Sequence, residues 1–326
     1  MPRRVLISLI LKVSGNVNAD AGIGTRIPLK KVITWNQEIR PFVSARCIRR
    51  CIRERLHEKG FSIDPLQIVG KGERQQQLGD IGNPVKYVDD DIFGFLLPQE
   101  PPIRRSSPIK LSHLISLRHA EVKVEFAARF QRDFLSNYTK GYPVPFEIEL
   151  ADWLGRLNVI VSDRIGRFSE EELSEIAKKE LGDKLELSKE ERIRRLSGFL
   201  EVLLQEGWMF PRAAQSPSVP EFYYAIIGLT DRFAPIFGCI DVNDSGELDK
   251  GLIEKMRRAY GWLLEELFIL DYKSWEYMKF TYVKSGKSVE EKQEGPKPLD
   301  SGSMSNIISE ICKYLIGADL LEGPDL

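Results

Sequence analysis

The densest chemistry in the chain lies in the stretch Pro41-Phe42-Val43-Ser44-Ala45-Arg46-Cys47-Ile48-Arg49-Arg50-Cys51-Ile52-Arg53-Glu54-Arg55-Leu56. Read at the helical period, Val43, Cys47, Ile48, Cys51, Ile52 and Leu56 share one face, and Arg46, Arg49, Arg50 and Arg53 share the other. Ser44 stands where an N-cap belongs, so the unbonded backbone N–H groups of the first turn point with the first arginines. Four guanidiniums within about two helical turns, beside a helix N-terminus, suit a run of phosphates. A solvated basic face on an ordinary amphipathic helix would show the same pattern, so the rest of the chain has to decide.

Two further clusters share that chemistry. Ile103-Arg104-Arg105-Ser106-Ser107-Pro108-Ile109-Lys110-Leu111-Ser112-His113 enters a strand, and Arg104, Arg105 and Lys110 with the serines suit phosphate oxygens. Ser162-Asp163-Arg164-Ile165-Gly166-Arg167-Phe168 offers Arg164 and Arg167. Each alone is an ordinary surface feature. Three on one scaffold point towards nucleic acid.

Other chemistries find less support. Asp241-Val242-Asn243-Asp244-Ser245-Gly246-Glu247-Leu248-Asp249 imitates a calcium loop, but Leu252 stands where the bidentate glutamate is needed, so it reads as a turn. Gly22-x-Gly24 lacks the third glycine of a dinucleotide fingerprint, and there is no Walker A sequence. His57, His113 and His119 lack metal-ligand spacing, and Cys47 and Cys51 read as small core residues. No catalytic residue, metal or cofactor is assigned.

The 326 residues carry 42% hydrophobic side chains and a net charge of −1, from 47 basic and 48 acidic residues. A nucleic-acid footprint must therefore be local. Basic residues gather early (Arg3, Arg4, Lys12, Arg26, Lys30, Lys31, Arg40) and acids late, in Glu170–Glu172 and Glu290–Glu291, which places the binding surface mainly in the first half. The opening MPRRVLISLILKV is too short to span a bilayer and reads as a buried strand. The expectation is a soluble, cytoplasmic protein with no membrane partner.

Element signals place a central strand at Val5–Val13, a glycine-punctuated loop at 14–26, a short strand at Leu29–Thr34, and then the arginine helix. Residues 61–110 read as an insertion. Its apolar run Ile92-Phe93-Gly94-Phe95-Leu96-Leu97 could form a small satellite core or an adhesive surface covered when a neighbouring copy docks; on the second reading Phe95→Asp is expected to be tolerated by the isolated subunit and to lower the number of copies on a long RNA. Residues 112–163 read as a two-stranded excursion with its tip near Asn137–Tyr142. Capping boxes at Ser169-x-x-Glu172 and Ser188-x-x-Glu191 announce a helical hairpin over 169–206. A linker (211–220), a strand (Phe222–Leu229), a helix (Leu248–Leu267), a strand (Tyr277–Val283), a hydrophilic loop (284–303) and a closing helix (Met304–Ile316) complete an α+β chain.

Taken in order, Asn16–Gly22, Pro41–Arg53, Asp91-Ile-Phe-Gly94, Arg104–Ser112 and Asp163-Arg-Ile-Gly-Arg-Phe168 resemble the DevR-like backbone subunits of type I CRISPR surveillance complexes (Cascade), within the RAMP superfamily. The resemblance implies a modified RNA-recognition-motif (ferredoxin-like) palm over a single domain, 1–326, with a finger-like insertion at 61–110 and a β-hairpin thumb whose tip spans 129–146. It implies a non-catalytic subunit that stacks with copies of itself into a helical filament on CRISPR RNA. That filament grips the guide backbone without sequence preference and presents it to a target strand beside other Cascade subunits. On this chain the RNA-facing helix is 43–57, with Ser44, Arg46, Arg49, Arg50 and Arg53, and the loop after the first strand contributes Asn18. The aliphatic first strand lacks the stacking aromatics of ordinary RNA-recognition domains, so the wedge between bases falls to the thumb. The alternatives are a RAMP endoribonuclease using Asp20, in the loop after the first strand, and a guide-capping RAMP subunit.

Overall fold

The computed structural model describes residues 2–20, 22, 24–69, 77–128, 145–182, 184–211, 218–285 and 288–317. At its centre is β1 (Arg4–Gly15), whose aliphatic run leaves almost no residue exposed. Val5, Ile7, Leu9, Leu11 and Val13 point to one face, and Leu6 and Ile10 to the other. Ser8 is as completely buried as the aliphatic residues around it, so the middle of the strand is covered on both sides.

Two short strands, β2 (Arg26–Ile27) and β3 (Lys31–Ile33), follow, and β3 pairs antiparallel with β4 (Ile39–Val43). Ser44 then caps α1 (Ala45–Glu58), its hydroxyl accepting the Cys47 N–H at 3.2 Å. Cys47, Ile48, Cys51, Ile52 and Leu56 are buried against the first face of the sheet, as their spacing requires. The insertion contains β5 (Gln67–Val69), β6 (Gln77–Gly79), α2 (Val88–Phe93), and the paired strands β7 (Phe95–Leu97) and β8 (Ile103–Arg105). Its apolar run is interior: Ile92 and Phe93 join the main core and Phe95 and Leu97 are buried, leaving only Leu96 outside. The adhesive-surface reading of this run is therefore corrected. Gly94 makes the bend possible; its φ is 73°, and a Cβ there would fall 2.2 Å from the Arg105 carbonyl oxygen.

β9 (Ile109–Leu111) and β10 (Leu114–Ser116) return to the sheet, and β11 (Lys123–Ala128) opens the excursion. Its partner is β12 (Pro145–Ser162), an 18-residue strand. From Pro145 to Leu150 it pairs with β11, and from Ala151 to Ser162 it lies antiparallel beside β1. The base of the excursion is thus a two-stranded arm growing from a central strand; the expected tip, apart from Pro145 and Phe146, lies outside the described residues. The helical hairpin consists of α3 (Glu175–Leu181) and α4 (Lys189–Glu201), the latter continuing as a π turn to Glu206. The Ser169 capping box forms in full, and the Ser188 hydroxyl accepts the Glu191 N–H.

β13 (Glu221–Thr230) pairs antiparallel with the other edge of β1. Next come α5 (Lys250–Tyr260), β14 (Glu266–Asp271), β15 (Glu276–Ser285), β16 (Ser288–Pro298) and α6 (Ser301–Ile316). Two expectations fail here. The helix expected to reach Leu267 stops at Tyr260, and Leu267 belongs to β14; the expected loop at 284–303 contains the whole of β16, hydrogen-bonded to β15. The order along the main sheet is β16-β15-β14-β13-β1-β12-β10-β4-β3. α1, α4 and α6 pack on one face, and α5 covers part of the other.

Candidate nucleic-acid interface

The arginine face of α1 emerges as a graded set. Arg46 and Arg50 are exposed; Arg50 donates to Glu54 one turn on at 3.0 Å, an exposed pair easily exchanged for another anion. Arg49 is half-buried, with its Nε–H unpaired among the described residues and its guanidinium 5.7 Å from the Phe93 ring centre. Burial first, then the nearby Arg53 and Arg46, push its pKa down. Three cations crowd together without a matching carboxylate at Arg49, an arrangement that a phosphate would relieve. Arg53 has a different task. Its Nε–H donates to the buried Asp89 at 2.8 Å, and its guanidinium lies 5.1 Å from the Phe93 ring centre. It braces α1 against α2 rather than reaching out.

The N-terminus of α1 has a second partner that local sequence patterns do not reveal. The Ala45 N–H donates to His113 Nδ1 at 2.9 Å, and the imidazole lies 5.3 Å from the Phe42 ring. A neutral ring accepting at Nδ1 carries its proton on Nε2, so the exposed His113 presents an N–H donor beside Ser44 and Arg46. Its one sequence signal is its place at the end of the basic cluster Ile103–His113.

The second and third basic clusters are joined, but not as a binding surface. Arg105 is fully buried and requires correction as a contact residue. Its guanidinium donates to Asp91 at 2.6 Å and to Glu172 at 2.8 Å, and also to the backbone carbonyls of Asp91, Arg164 and Arg167. Asp91, equally buried, also accepts from Arg195 at 2.9 Å and from the Gly166 N–H. A buried arginine survives only with such complete pairing. Arg164 pairs with Glu172, and Arg167 with Glu186 at 3.0 Å; both remain exposed. Arg104 and Lys110 are exposed and form no ion pair among the described residues.

The early basic residues are largely spent inside the chain. Arg26 and Lys31 both bind the buried Glu149, Lys12 binds Glu221, and Arg40 binds Glu38. Glu149 also accepts the Leu29 N–H, and the Asn16 side-chain amide donates to its carbonyl at 2.8 Å, so the loop after β1 is fastened to β12. Asn18 sits in this loop in a left-handed conformation, φ 53°, with its buried Nδ2 unpaired among the described residues. Asp20 is exposed, and its backbone N–H is bonded to the Pro28 carbonyl.

Against this geometry, residues 71–244 match the family model described as "CRISPR-associated negative auto-regulator DevR/Csa2", which covers more than half of the chain. The chain belongs to the DevR/Csa2 family. No curated protein sequence matches it. Among solved structures, the fold is similar to a chain titled "CRISPR RNA-guided surveillance complex, pre-nicking", at a TM-score of 0.54 and 12% identity, over 94% of this chain and 99% of that one. A second, titled "CRISPR RNA-guided surveillance complex", aligns over the same shares at a TM-score of 0.46 and 11% identity. No helix among the described residues is long and apolar enough to cross a membrane.

In this DevR/Csa2 protein the acidic run Asp89-Asp90-Asp91, which ends at the first residue of the Asp91–Gly94 motif, is the hub that holds the insertion. Asp89 takes Arg53 and the Asp64 N–H, and Asp91 takes Arg105 and Arg195. Asp90, Asp64 and Asp80 bring carboxylate oxygens within 4.8 Å of one another, close enough for a metal. Their oxygens are, however, engaged by backbone N–H groups of Asn83, Ile81, Gly82 and Leu96, which makes them loop staples.

Burial, reinforced by Asp64 and Asp89, pushes the Asp90 carboxyl up to about 8. A folded pKa raised above the unfolded value gives stability that is complete below about pH 4 and is lost as pH rises towards 8. Asp90→Asn keeps the acceptor for Asn83 and removes the charge. The variant is expected to match the natural chain in urea unfolding at pH 4 and to exceed it in stability at pH 9. Equal stability at both pH values would show that Asp90 does not hold a proton in the folded state.

Proposed function

We propose that this chain is a backbone subunit of a type I CRISPR surveillance complex, Cascade, and that it holds CRISPR RNA by its phosphates without reading bases. The observation that carries the reading is the outer face of α1, where Arg46, Arg49 and Arg50 stand with His113 around a capped helix N-terminus. Such groups meet phosphate and ribose oxygens and ignore base identity. Strand order supports the palm: β9 and β10, β12, β1 and β13 lie side by side and antiparallel, with α1 and α4 as interleaved crossovers on one face, the order of a ferredoxin-like unit. Burial of both faces of β1 excludes base stacking on the centre of the sheet, so RNA is met at its rim and by the β11–β12 arm, which we assign as the base of the thumb.

On this reading Ser44, Arg46, Arg49, Arg50, His113 and Asn18 contact the guide, with Arg104, Lys110, Arg164 and Arg167 available along its path. The finger is the insertion at 61–110, the whole chain is one RRM-like unit, and the partners are the guide, a target strand, further copies of the chain and other Cascade subunits. The subunit works without catalysis. The family match does not favour the Asp20 endoribonuclease.

Fluorescence anisotropy with two unrelated single-stranded RNAs tests this. The natural chain should bind both alike, and Arg46→Ala and Arg50→Ala should each weaken both equally. Removing one phosphate-binding arginine should reduce the salt slope by about 0.7. Arg53→Ala should leave that slope unchanged and lower the melting temperature instead, because it leaves Asp89 buried without its cation. A weakening confined to one RNA sequence would overturn the phosphate assignment.

A further inference from the structure

The tip of the β3–β4 hairpin displays the most exposed large apolar side chain among the described residues. Trp35 is 93% exposed, and the cross-strand partners Ile33 and Ile39 are 67% and 43% exposed. The tip is held by its own hydrogen bonds, from the Thr34 N–H to the Glu38 carbonyl and from the Gln37 N–H to the Thr34 carbonyl. An ordered apolar tip has the character of a docking surface. Its aliphatic pair favours a protein pocket over a base, since only the indole offers a stacking face.

A concavity lies far along the same sheet. Between α5 and strands β14–β16 runs a groove of about 1340 Å³ whose floor includes Ile269, Met278 and Phe280 and whose wall includes the half-exposed Trp262. Six carboxylates and three cations line it, and two of those cations, Arg257 and Arg258, are already paired with Glu291 and Glu254. The groove is therefore negative. The hairpin and its root carry Arg26, Lys30, Lys31 and Arg40 against Glu38, which pairs with Arg40, and the buried Glu149, which pairs with Arg26 and Lys31; a positive excess remains, with Lys30 free of any ion pair among the described residues. The two surfaces are opposite in net charge.

A chain cannot dock its own hairpin there. Five strand steps separate β4 from β14, about 24 Å at ~4.8 Å each, whereas β3 and β4 are only three and five residues long. We propose that the Ile33–Trp35–Ile39 tip of one copy seats in the α5/β14–β16 groove of the next. Two different patches then meet head to tail, so the junction has no built-in closure. This rests on the reading of the chain as a repeated backbone subunit, and it names the surfaces that join the repeats.

The test replaces Trp35 with the photo-cross-linker p-benzoylphenylalanine in the full chain, mixes isotopically labelled and unlabelled copies on long polyuridine, and maps cross-links by mass spectrometry. Cross-links from position 35 to Met278, Trp262 or their neighbours in a different copy are expected. Trp35→Asp should lower the number of copies per RNA several-fold, with melting temperature and single-copy binding to a short oligonucleotide unchanged. Cross-links to RNA or to another protein surface, no cross-link, or a natural copy number with Trp35→Asp each overturn the docking while leaving the backbone reading intact. A natural chain that occupies long polyuridine as one copy overturns the backbone reading and the docking with it.

Discussion

Asp91→Ala is expected to lower stability by about 3–5 kcal/mol, the cost of breaking a buried ion network on one side only. Asp91 is the shared acceptor for Arg105, Arg195 and the Gly166 N–H, and all three sit in the interior. Without it two guanidiniums lose their counter-charge where water cannot replace it. The three elements meeting there, α2, β8 and α4, lose their common fastening. Urea unfolding of the purified chain measures the effect, with a melting temperature lowered by roughly 4–7 °C as the companion reading. The comparison that gives the result meaning is Arg164→Ala, which removes an exposed cation from the same neighbourhood. If the two variants are destabilised by the same small amount, Asp91 is not the keystone its geometry indicates.

Phe95→Asp and Leu96→Asp should behave oppositely although they are neighbours. Phe95 is 6% exposed and Leu96 56%. The aspartate at 95 buries an unpaired charge and is expected to cost roughly 3 kcal/mol or more, while the one at 96 points to water and should stay within about 0.5 kcal/mol of the natural chain. Chemical unfolding of both variants settles it; equal tolerance would mean that β7 sits in solution with its inner face open. This pair also explains why composition left the run undecided. A satellite core and an adhesive surface contain the same residues, and only strand alternation against a specific backbone separates them.

The parts legible in sequence are those whose signal is local. β1 is a near-continuous aliphatic run from Val5 to Val13 because both faces are covered there, and α1 shows its buried stripe at the helical period with Ser44 at its start. The same logic misled at Leu248–Leu267, where the apolar rhythm of α5 runs on into β14 and only the turn at Gly261–Leu263 marks the change. β16 was illegible for another reason. Its side chains are solvated and polar, so backbone pairing with β15 is its main attachment. Within the candidate site, Arg46, Arg49 and Arg50 stand on the face their spacing gave them. Arg105 does not, because its partners Asp91 and Glu172 lie 14 and 67 residues away, and an arginine reads the same whether it meets solvent or a buried carboxylate. His113 reaches the helix N-terminus through a hydrogen bond spanning 68 residues, which no local pattern announces.

The continuity of β12 has a mechanical side. A load applied to the outer end of the β11–β12 arm travels down one unbroken backbone and arrives along the axis of the strand beside β1. There, twelve residue pairs from Arg4↔Ser162 to Gly15↔Ala151 resist together, in shear, instead of opening one after another as they would if the arm were hinged on a loop. The arm is thus a cantilever clamped at the middle of the sheet: it can bend along its length, but it cannot swivel at its root without tearing a twelve-pair ladder on the central strand.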